Sequence, residues 1–430
     1  MPFILSHLSA MVRRILHNFA TRLATALLSF AIVWLTARYL GAAGRGAVSL
    51  FVTDCAVLLL FIGFLGGSSL IYLAPKHSIW SLLVPAYVWA TVVCTAGTAA
   101  VGLLRQVSWP YLGHLWGLSL VQAFFTINTL LLLGRKKDGV YNLFTVLQVA
   151  ILAGLLLLAF TGSYSWRAVT TYYYATYLAY GLPLILSWLV LLRLPDRWEA
   201  GHLLRATTRE LASNSRGAHF SNILSFINYR LSYYFVAHYT GARAVGVLSV
   251  GVALAEAIWL IPRSAALIQY VDLVHATDKQ AQVASTLRVA RLSVLATVLA
   301  VLVLCALPPA VLVAVFGPEF GASRPVILLL APGVAIMAIN MICSSYFGGI
   351  GQYRVNNLAT TLGLGVTIPA CWLLIPAFGI RGAAAANTLS YLASTAYLVW
   401  SFKQTTGAGL RAFLPSFQDV KMALSKQLSS

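Results

Sequence analysis

Polar side chains recur at helical spacing inside two otherwise apolar stretches of this sequence. The first stripe covers about 60° of one helix face and comprises Asn18, Arg22, Thr25, Ser29 and Thr36. The second covers about 120° and comprises Arg216, His219, Asn222 and Arg230. Arginine forks suit the binding of phosphate oxygens, so the two stripes together predict a cationic cleft for an anionic ligand.

Two acidic residues also lie inside apolar stretches. One is Asp54, and the other is Glu256, which shares a helix face with Trp259 and Arg263. Because an ionised side chain is costly in apolar surroundings, each acid requires a partner. Two roles stay open for Asp54, Glu256 and Arg263: they balance one another and the other buried charges, or the acids bind a coupling ion.

The composition indicates which elements hold these residues. Hydrophobic residues make up 60% of the 430 residues and charged residues only 9%, with a net charge of +19. A soluble protein is nearer half apolar and a quarter charged, so the sequence predicts a chain embedded in lipid. The basic residues lie mostly in short gaps between apolar runs, which favours basic cytoplasmic loops over nucleic-acid binding.

Apolar runs long enough to cross about 30 Å of hydrocarbon predict an all-α, polytopic membrane protein with about twelve spans. The runs are 17–38, 46–73, 80–104, 110–133, 140–161, 168–192, 212–239, 245–271, 285–308, 324–349, 354–377 and 381–402. An even number of spans puts both termini on one side. That side carries 18 Lys and Arg in its gaps and tails and the other carries seven, which predicts cytoplasmic termini.

The spans divide the chain into five predicted parts, with no loop long enough to form a soluble domain. They are a basic cytoplasmic lead-in (1–16), an N-terminal six-helix bundle (17–192), a cytoplasmic linker (193–211), a C-terminal six-helix bundle (212–402) and a cytoplasmic tail (403–430). No cofactor is expected, and no metal site, because the cysteines fall singly inside apolar runs.

The two bundles resemble each other in sequence. Residues 39–52 and 239–252 match at six of fourteen positions without gaps, and each segment joins the first two spans of its half. Six spans per half predict a parallel repeat, a common construction in transporters. Gly63, Gly66 and Gly67 in the second span, and Pro262 in the eighth, predict interrupted helices at similar depth.

Segments 37–46, 65–72, 229–237, 246–262 and 375–384 resemble the Wzx-like oligosaccharide flippases of the multidrug/oligosaccharidyl-lipid/polysaccharide exporter superfamily. The resemblance extends over residues 15–402. It implies two six-helix bundles around a V-shaped cavity that opens alternately to each side of the bacterial inner membrane. It also implies a polyprenyl-diphosphate-linked oligosaccharide as substrate, with a polymerase and glycosyltransferases as pathway partners. The arginines that match in kind are Arg22, Arg216 and Arg230.

Two other functions remain as alternatives. A cation-coupled multidrug exporter of the same superfamily would share the repeat, but a site for cationic drugs should be acidic. A membrane-embedded polysaccharide polymerase or ligase would be an enzyme and would need paired carboxylates. The sequence offers Asp196 with Glu199 and Asp272 with Asp278, all in or near predicted cytoplasmic loops, and no nucleophile motif. Transport is therefore favoured over catalysis.

Overall fold

The computed structural model describes residues 2–196, 201–275 and 278–414, and these residues form helices and turns without a strand. The helices of the first part of the chain are α1 (Pro2–Gly66), α2 (Ser68–Leu73), α3 (Ile79–Arg105), α4 (Trp109–Gly134), α5 (Asp138–Gly162), α6 (Val169–Leu192) and α7 (Gly201–Thr240). Those of the second part are α8 (Ala242–Ala257), α9 (Leu260–His275), α10 (Lys279–Ala306), α11 (Pro309–Phe316), α12 (Ser323–Gly349), α13 (Tyr353–Phe378) and α14 (Ile380–Thr406).

The helices confirm an all-α, polytopic membrane protein. Within the described residues, eight helical stretches are long and apolar enough to cross a membrane, or nine when α8 and α9 are taken as one bent span. The first stretch, Ala20–Leu73, contains two of the predicted spans, which the non-helical Gly41 separates. The predicted seventh and twelfth spans are helical, as α7 and α14, but they fall short of the same apolar criterion.

The chain forms two compact units. The N-terminal unit comprises Met1–Leu40 and Val48–Ile223, and the C-terminal unit comprises Gly41–Ala47 and Leu224–Ser430. The linker predicted at 193–211 stays a prediction, and its part from Gly201 onward belongs to α7.

Polar contacts hold the first half of α7 within the N-terminal unit. Ser215 Oγ donates a hydrogen bond to Ser69 Oγ at 2.9 Å. The His77 ring also lies 2.8 Å from the Glu210 carboxylate.

Large buried side chains fill the centre of each unit. In the N-terminal unit, Phe51 packs edge-on against Tyr111 with ring centroids 5.4 Å apart. In the C-terminal unit, Tyr346 packs edge-on against Phe402 at 5.0 Å. Membrane helices associate through van der Waals contacts of this kind, since lipid removes the hydrophobic drive between helices.

The repeated segments adopt the same backbone break. Gly41 has φ +67° and Gly241 has φ +84°, at matching positions of the repeat. Five residues further on, a Cβ atom at Gly46 would overlap the carbonyl oxygen of Ala242, and one at Gly246 would overlap that of Ala42. The two segments thus cross backbone to backbone in a reciprocal way within the C-terminal unit, which confirms the repeat at this point.

Polar contacts fix the same crossing. Glu319 accepts a hydrogen bond from the Ala42 amide at 2.6 Å, and its other oxygen lies 2.7 Å from Arg243 Nη2. Arg45 Nε donates to Ser249 Oγ at 3.1 Å. The sequence placed Arg45 in a gap between spans. In the structure the helix resumes after Gly41, and Arg45 is buried.

Both predicted interruptions of long spans are present. α1 ends at Gly66, and α2 begins after Gly67. α8 and α9 are bent by 42° at residues 258–259. Pro262 lies in the first turn of α9, where the missing amide of a proline is tolerated.

Candidate functional site

The first polar stripe lies on α1. Arg22 and Ser29 are exposed, and the side chain of Asn18 lies outside the described residues. The Thr25 hydroxyl donates to the Thr21 carbonyl at 2.7 Å. Thr36 is buried and donates to the backbone of its own helix. Among the predicted members, Arg22 and Ser29 thus remain accessible on this helix.

The second stripe lies on α7 and is divided between the two units. In the N-terminal unit, His219 and Asn222 line a cavity of about 190 Å³ together with Ser215. The facing wall of the cavity contains Gly63 and Gly67, where the first membrane stretch is interrupted. The His219 ring also packs on Phe64, with centroids 5.4 Å apart. The Arg216 side chain lies outside the described residues.

Arg230, also on α7, forms an ion pair in the C-terminal unit. Its Nη2 lies 3.1 Å from Glu256 Oε2, and its Nη1 lies 3.4 Å from Glu256 Oε1. The guanidinium also lies over the Tyr233 ring, at 5.4 Å from the centroid. Both partners remain partly accessible, with 31% of the arginine side chain and 22% of the glutamate side chain exposed.

An aromatic cluster adjoins this ion pair. The rings of Tyr229, Trp259 and Tyr391 lie 5.5–5.9 Å apart between centroids. Arg263, which is exposed, stacks on Trp259 at 5.6 Å. The Trp259 indole N–H is buried, and no acceptor for it occurs in the described part of the chain. This corner of the unit therefore combines two arginines, one carboxylate and a buried donor.

Asp54 is paired in the N-terminal unit. Its two carboxylate oxygens lie 2.6 and 2.7 Å from Arg105 Nη1 at the end of α3, and the Tyr111 hydroxyl also donates to it. Only 1% of the aspartate side chain is exposed. Each of the two acids, Asp54 and Glu256, thus lies against an arginine. Arg263 contacts an aromatic ring, whereas the carboxylate of Glu256 pairs with Arg230.

A neutral hydrogen-bond cluster in the C-terminal unit was missed by the sequence reasoning. The amide oxygen of Asn228 accepts hydrogen bonds from the hydroxyls of Thr367 and Ser390. The Gly363 carbonyl accepts from the same two hydroxyls, at 3.0 Å each. The cluster joins α7, α13 and α14. Single uncharged polar residues are common in membrane helices, and their pairing cannot be read from spacing.

The carboxylates considered for an enzyme have structural contacts. Asp196 pairs with Arg135 and accepts from the Ile79 amide at 3.3 Å. Asp278 caps α10 by accepting from two backbone amides. Glu199 lies outside the described residues, as does the Asp272 side chain. No group of three or more metal-binding side chains occurs among the described residues.

Comparison with known proteins gives one partial sequence match and several structures of similar fold. No family model matches the chain. A segment of 93 residues is 27% identical to an uncharacterized membrane protein of Methanocaldococcus jannaschii, and it amounts to 22% of this chain and 18% of that protein. The match thus spans less than a fifth of the length of that relative.

Solved structures are similar over nearly the whole chain. A lipid II flippase, MurJ, in an inward closed conformation matches with a TM-score of 0.70 over 97% of this chain and 93% of that one, at 13% identity. An inward-facing multidrug resistance MATE family transporter of the MOP superfamily matches at 0.64, over 89% and 96% of the two chains, also at 13% identity. A MOP superfamily transporter from Pyrococcus furiosus matches at 0.58, over 92% and 95%, at 13% identity. The fold is that of MOP-superfamily transporters.

Proposed function

We propose that this protein is a flippase that moves a polyprenyl-diphosphate-linked oligosaccharide across the bacterial inner membrane by alternating access. The product would serve the synthesis of a surface polysaccharide such as O-antigen, capsule or exopolysaccharide. The similarity to a lipid II flippase supports a lipid-linked substrate. Because one fold supports several substrates, the choice among them must rest on the charges of this chain.

The observation that carries the proposal is the pairing of the acids in the membrane helices. Asp54 is neutralised by Arg105, and Glu256 by Arg230. A site for cationic drugs or coupling protons would need an available carboxylate at membrane depth. Arg22 on α1 is instead an accessible cation, and Arg38 on the same helix is exposed as well. An anionic substrate therefore fits these helices better than a cationic one.

A diphosphate headgroup suits the polar residues of the two stripes. It carries about two negative charges, and arginine forks bind phosphate oxygens in a bidentate way. Polar side chains such as Asn222 and His219, which line one cavity, would replace water as hydrogen-bond partners of the headgroup or of its first sugar. The residues proposed to contact the headgroup are Arg22, Arg216, Arg230, Asn18, Thr25, Ser29, His219 and Asn222.

The proposal includes an orientation and partners. Both termini would be cytoplasmic, because the basic residues concentrate in gaps on that side. The polyprenyl chain would remain in membrane lipid while the headgroup crosses. Glycosyltransferases of the same pathway would supply the substrate on the cytoplasmic face, and a polysaccharide polymerase would consume it on the other face.

The test is a double substitution, Arg22→Ala with Arg230→Ala, expressed in a strain that lacks the native protein. We expect loss of surface polysaccharide and accumulation of lipid-linked repeat units in the inner leaflet, at unchanged membrane levels of the protein. Arg354→Ala is the matched control, because this arginine is exposed at the start of α13 and should leave export unchanged. Normal export by the double variant would overturn the cationic site.

The multidrug exporter is the second candidate, since MATE family transporters share the fold. It predicts that the protein raises resistance to cationic drugs in a sensitive host. Our proposal predicts no change in resistance, together with restored polysaccharide export in a flippase-deficient host. The two readouts separate the candidates, because neither activity requires the other.

A further inference from the structure

The two acids of the membrane helices, Asp54 and Glu256, differ in how closely they contact their arginines. Asp54 lies 2.6 and 2.7 Å from Arg105 and is almost wholly enclosed. Glu256 lies 3.1 and 3.4 Å from Arg230, longer than the 2.7–2.9 Å typical of charge-assisted pairs. The Arg230–Glu256 pair is also accessible at both ends. The first pair has the features of a fixed structural contact, and the second those of an exchangeable one.

The exchangeable pair occupies the part of Arg230 that a phosphate would need. Both terminal nitrogens of the guanidinium face the two oxygens of Glu256, in the side-by-side arrangement that also suits a phosphate group. A carboxylate and a phosphate cannot both take this bidentate position. An anionic ligand that binds Arg230 through this edge must therefore displace Glu256.

A second cation is available when Glu256 leaves Arg230. Arg263 lies over the Trp259 ring at 5.6 Å, and that ring packs against Tyr229, the chain neighbour of Arg230, with centroids 5.7 Å apart. Glu256 is the second-last residue of α8, directly before the bend, and Arg263 lies in the first turns of α9 beyond it. The buried, unpaired indole N–H of Trp259 lies between them in the chain. The displaced carboxylate thus remains in a region that contains an arginine and a donor.

We propose that Glu256 is an internal competitor for the anionic headgroup: its carboxylate holds the Arg230 guanidinium in the empty site and is displaced by the diphosphate of the substrate. This inference rests on the proposed function. It makes Glu256 a specificity-determining residue, because an anion must bind Arg230 better than the carboxylate does. A singly charged headgroup competes less well than a diphosphate for Arg230. After transport, the carboxylate of Glu256 returns to Arg230 and promotes release of the headgroup.

The experiment measures the binding of farnesyl diphosphate, a short polyprenyl diphosphate, to the purified full-length protein in nanodiscs by calorimetry. Glu256→Gln removes the competing charge, and we expect about fivefold tighter binding, as for removal of a partly exposed ion pair that masks its arginine. Glu210→Gln is the matched control, since it removes the same charge from the N-terminal unit and should leave the affinity unchanged. Arg230→Gln should weaken binding, and Glu256→Gln added to it should give no gain.

Each outcome bears on the inference. Unchanged or weaker binding by Glu256→Gln overturns it, as does a gain that persists without Arg230. When the unaltered protein binds the probe and Glu256→Gln shows no gain, the inference fails but the proposed function stands. Folded samples that do not bind the probe at all would count against both. Glu256→Asp, which keeps the charge but shortens the side chain, should bind more tightly than the unaltered protein, and it replaces Glu256→Gln when that variant does not fold.

Discussion

Asp54 shows how a charged residue inside an apolar helix is paired in this protein. Its carboxylate accepts hydrogen bonds from Arg105 and Tyr111, which lie on two neighbouring helices and at the same end of the N-terminal unit. The pair places one charge of each sign where neither could remain alone. Its enclosure indicates that Asp54 contributes to stability.

Asp54→Asn should therefore destabilise the N-terminal unit. Removing one partner of a buried ion pair leaves the other charge uncompensated and lowers the free energy of unfolding by about 3 kcal/mol. Thermal unfolding of the purified protein in detergent measures the effect. Glu210→Gln is the control, because its contact to His77 is partly exposed and should be worth less than about 1 kcal/mol. Equal destabilisation by the two variants would contradict this assignment.

The sequence located these charged residues but not their partners. Asp54 and Glu256 were identifiable because acids are rare in apolar runs. Arg105 lies 51 positions from Asp54, at the end of another span, and helical periodicity carries no information about contacts between helices. The Asn228 cluster was missed for the same reason, since Thr367 and Ser390 are distant in the chain and uncharged.

The crossing at Gly46 and Gly246 determines how the repeated segments pack. Each glycine lies against the backbone carbonyl of the opposite segment, at the position where any Cβ atom would overlap it. Small residues allow membrane helices to approach this closely. Since neither backbone can move without breaking the reciprocal contact, the crossing should tolerate no side chain.

Gly46→Ala should consequently reduce the amount of folded protein in the membrane. Overpacking of one methyl group typically costs about 1–3 kcal/mol, and a clash with backbone lies at the upper end. Gly154→Ala in α5 is the matched control, because its Cβ would meet open space. Fluorescence-detected size exclusion of tagged variants measures the outcome. Normal yield and unfolding temperature for Gly46→Ala would rule out the tight crossing.

The backbone break at Gly41 should also require glycine. Its φ of +67° with ψ of −176° is a conformation that other residues adopt only at a cost of about 1–3 kcal/mol. Gly41→Asn should lower the unfolding temperature by several degrees. Gly407→Asn is the control, because φ +79° and ψ −12° belong to the left-handed region that asparagine tolerates. A similar loss in both variants would refute the distinction.

Element boundaries were predictable where glycine and proline mark them. Clustered glycines before Ser68 and Pro262 in α9 indicated the two interruptions of long spans. The break at Gly41 lies in the gap between the predicted spans 17–38 and 46–73. In the fold, Arg45 is buried and donates a hydrogen bond to Ser249, which belongs to a distant segment of the chain. The local sequence carries no sign of this contact.

At the scale of the whole molecule, the fold indicates the architecture and the charges indicate the class of substrate. The similarity to flippases and multidrug transporters at 13% identity establishes a shared architecture. One fold can serve different substrates, so the charges of this chain must indicate the substrate class. The net charge of +19 and the pairing of Asp54 and Glu256 with arginine favour the anionic one.

An anionic headgroup gives transport a dependence on membrane potential. In an inside-negative membrane, outward movement of one negative charge is favoured by about 2.3 kcal/mol per 100 mV, so about two charges on a diphosphate gain about 5 kcal/mol. The potential alone could then drive net flipping without a coupling ion. We expect a potassium diffusion potential, negative on the cytoplasmic side, to shift a labelled polyprenyl diphosphate toward the opposite leaflet in proteoliposomes. An imposed pH gradient without a potential should leave its distribution unchanged. A distribution that follows the pH gradient and ignores the potential would refute potential-driven transport and would point to a proton-coupled carrier.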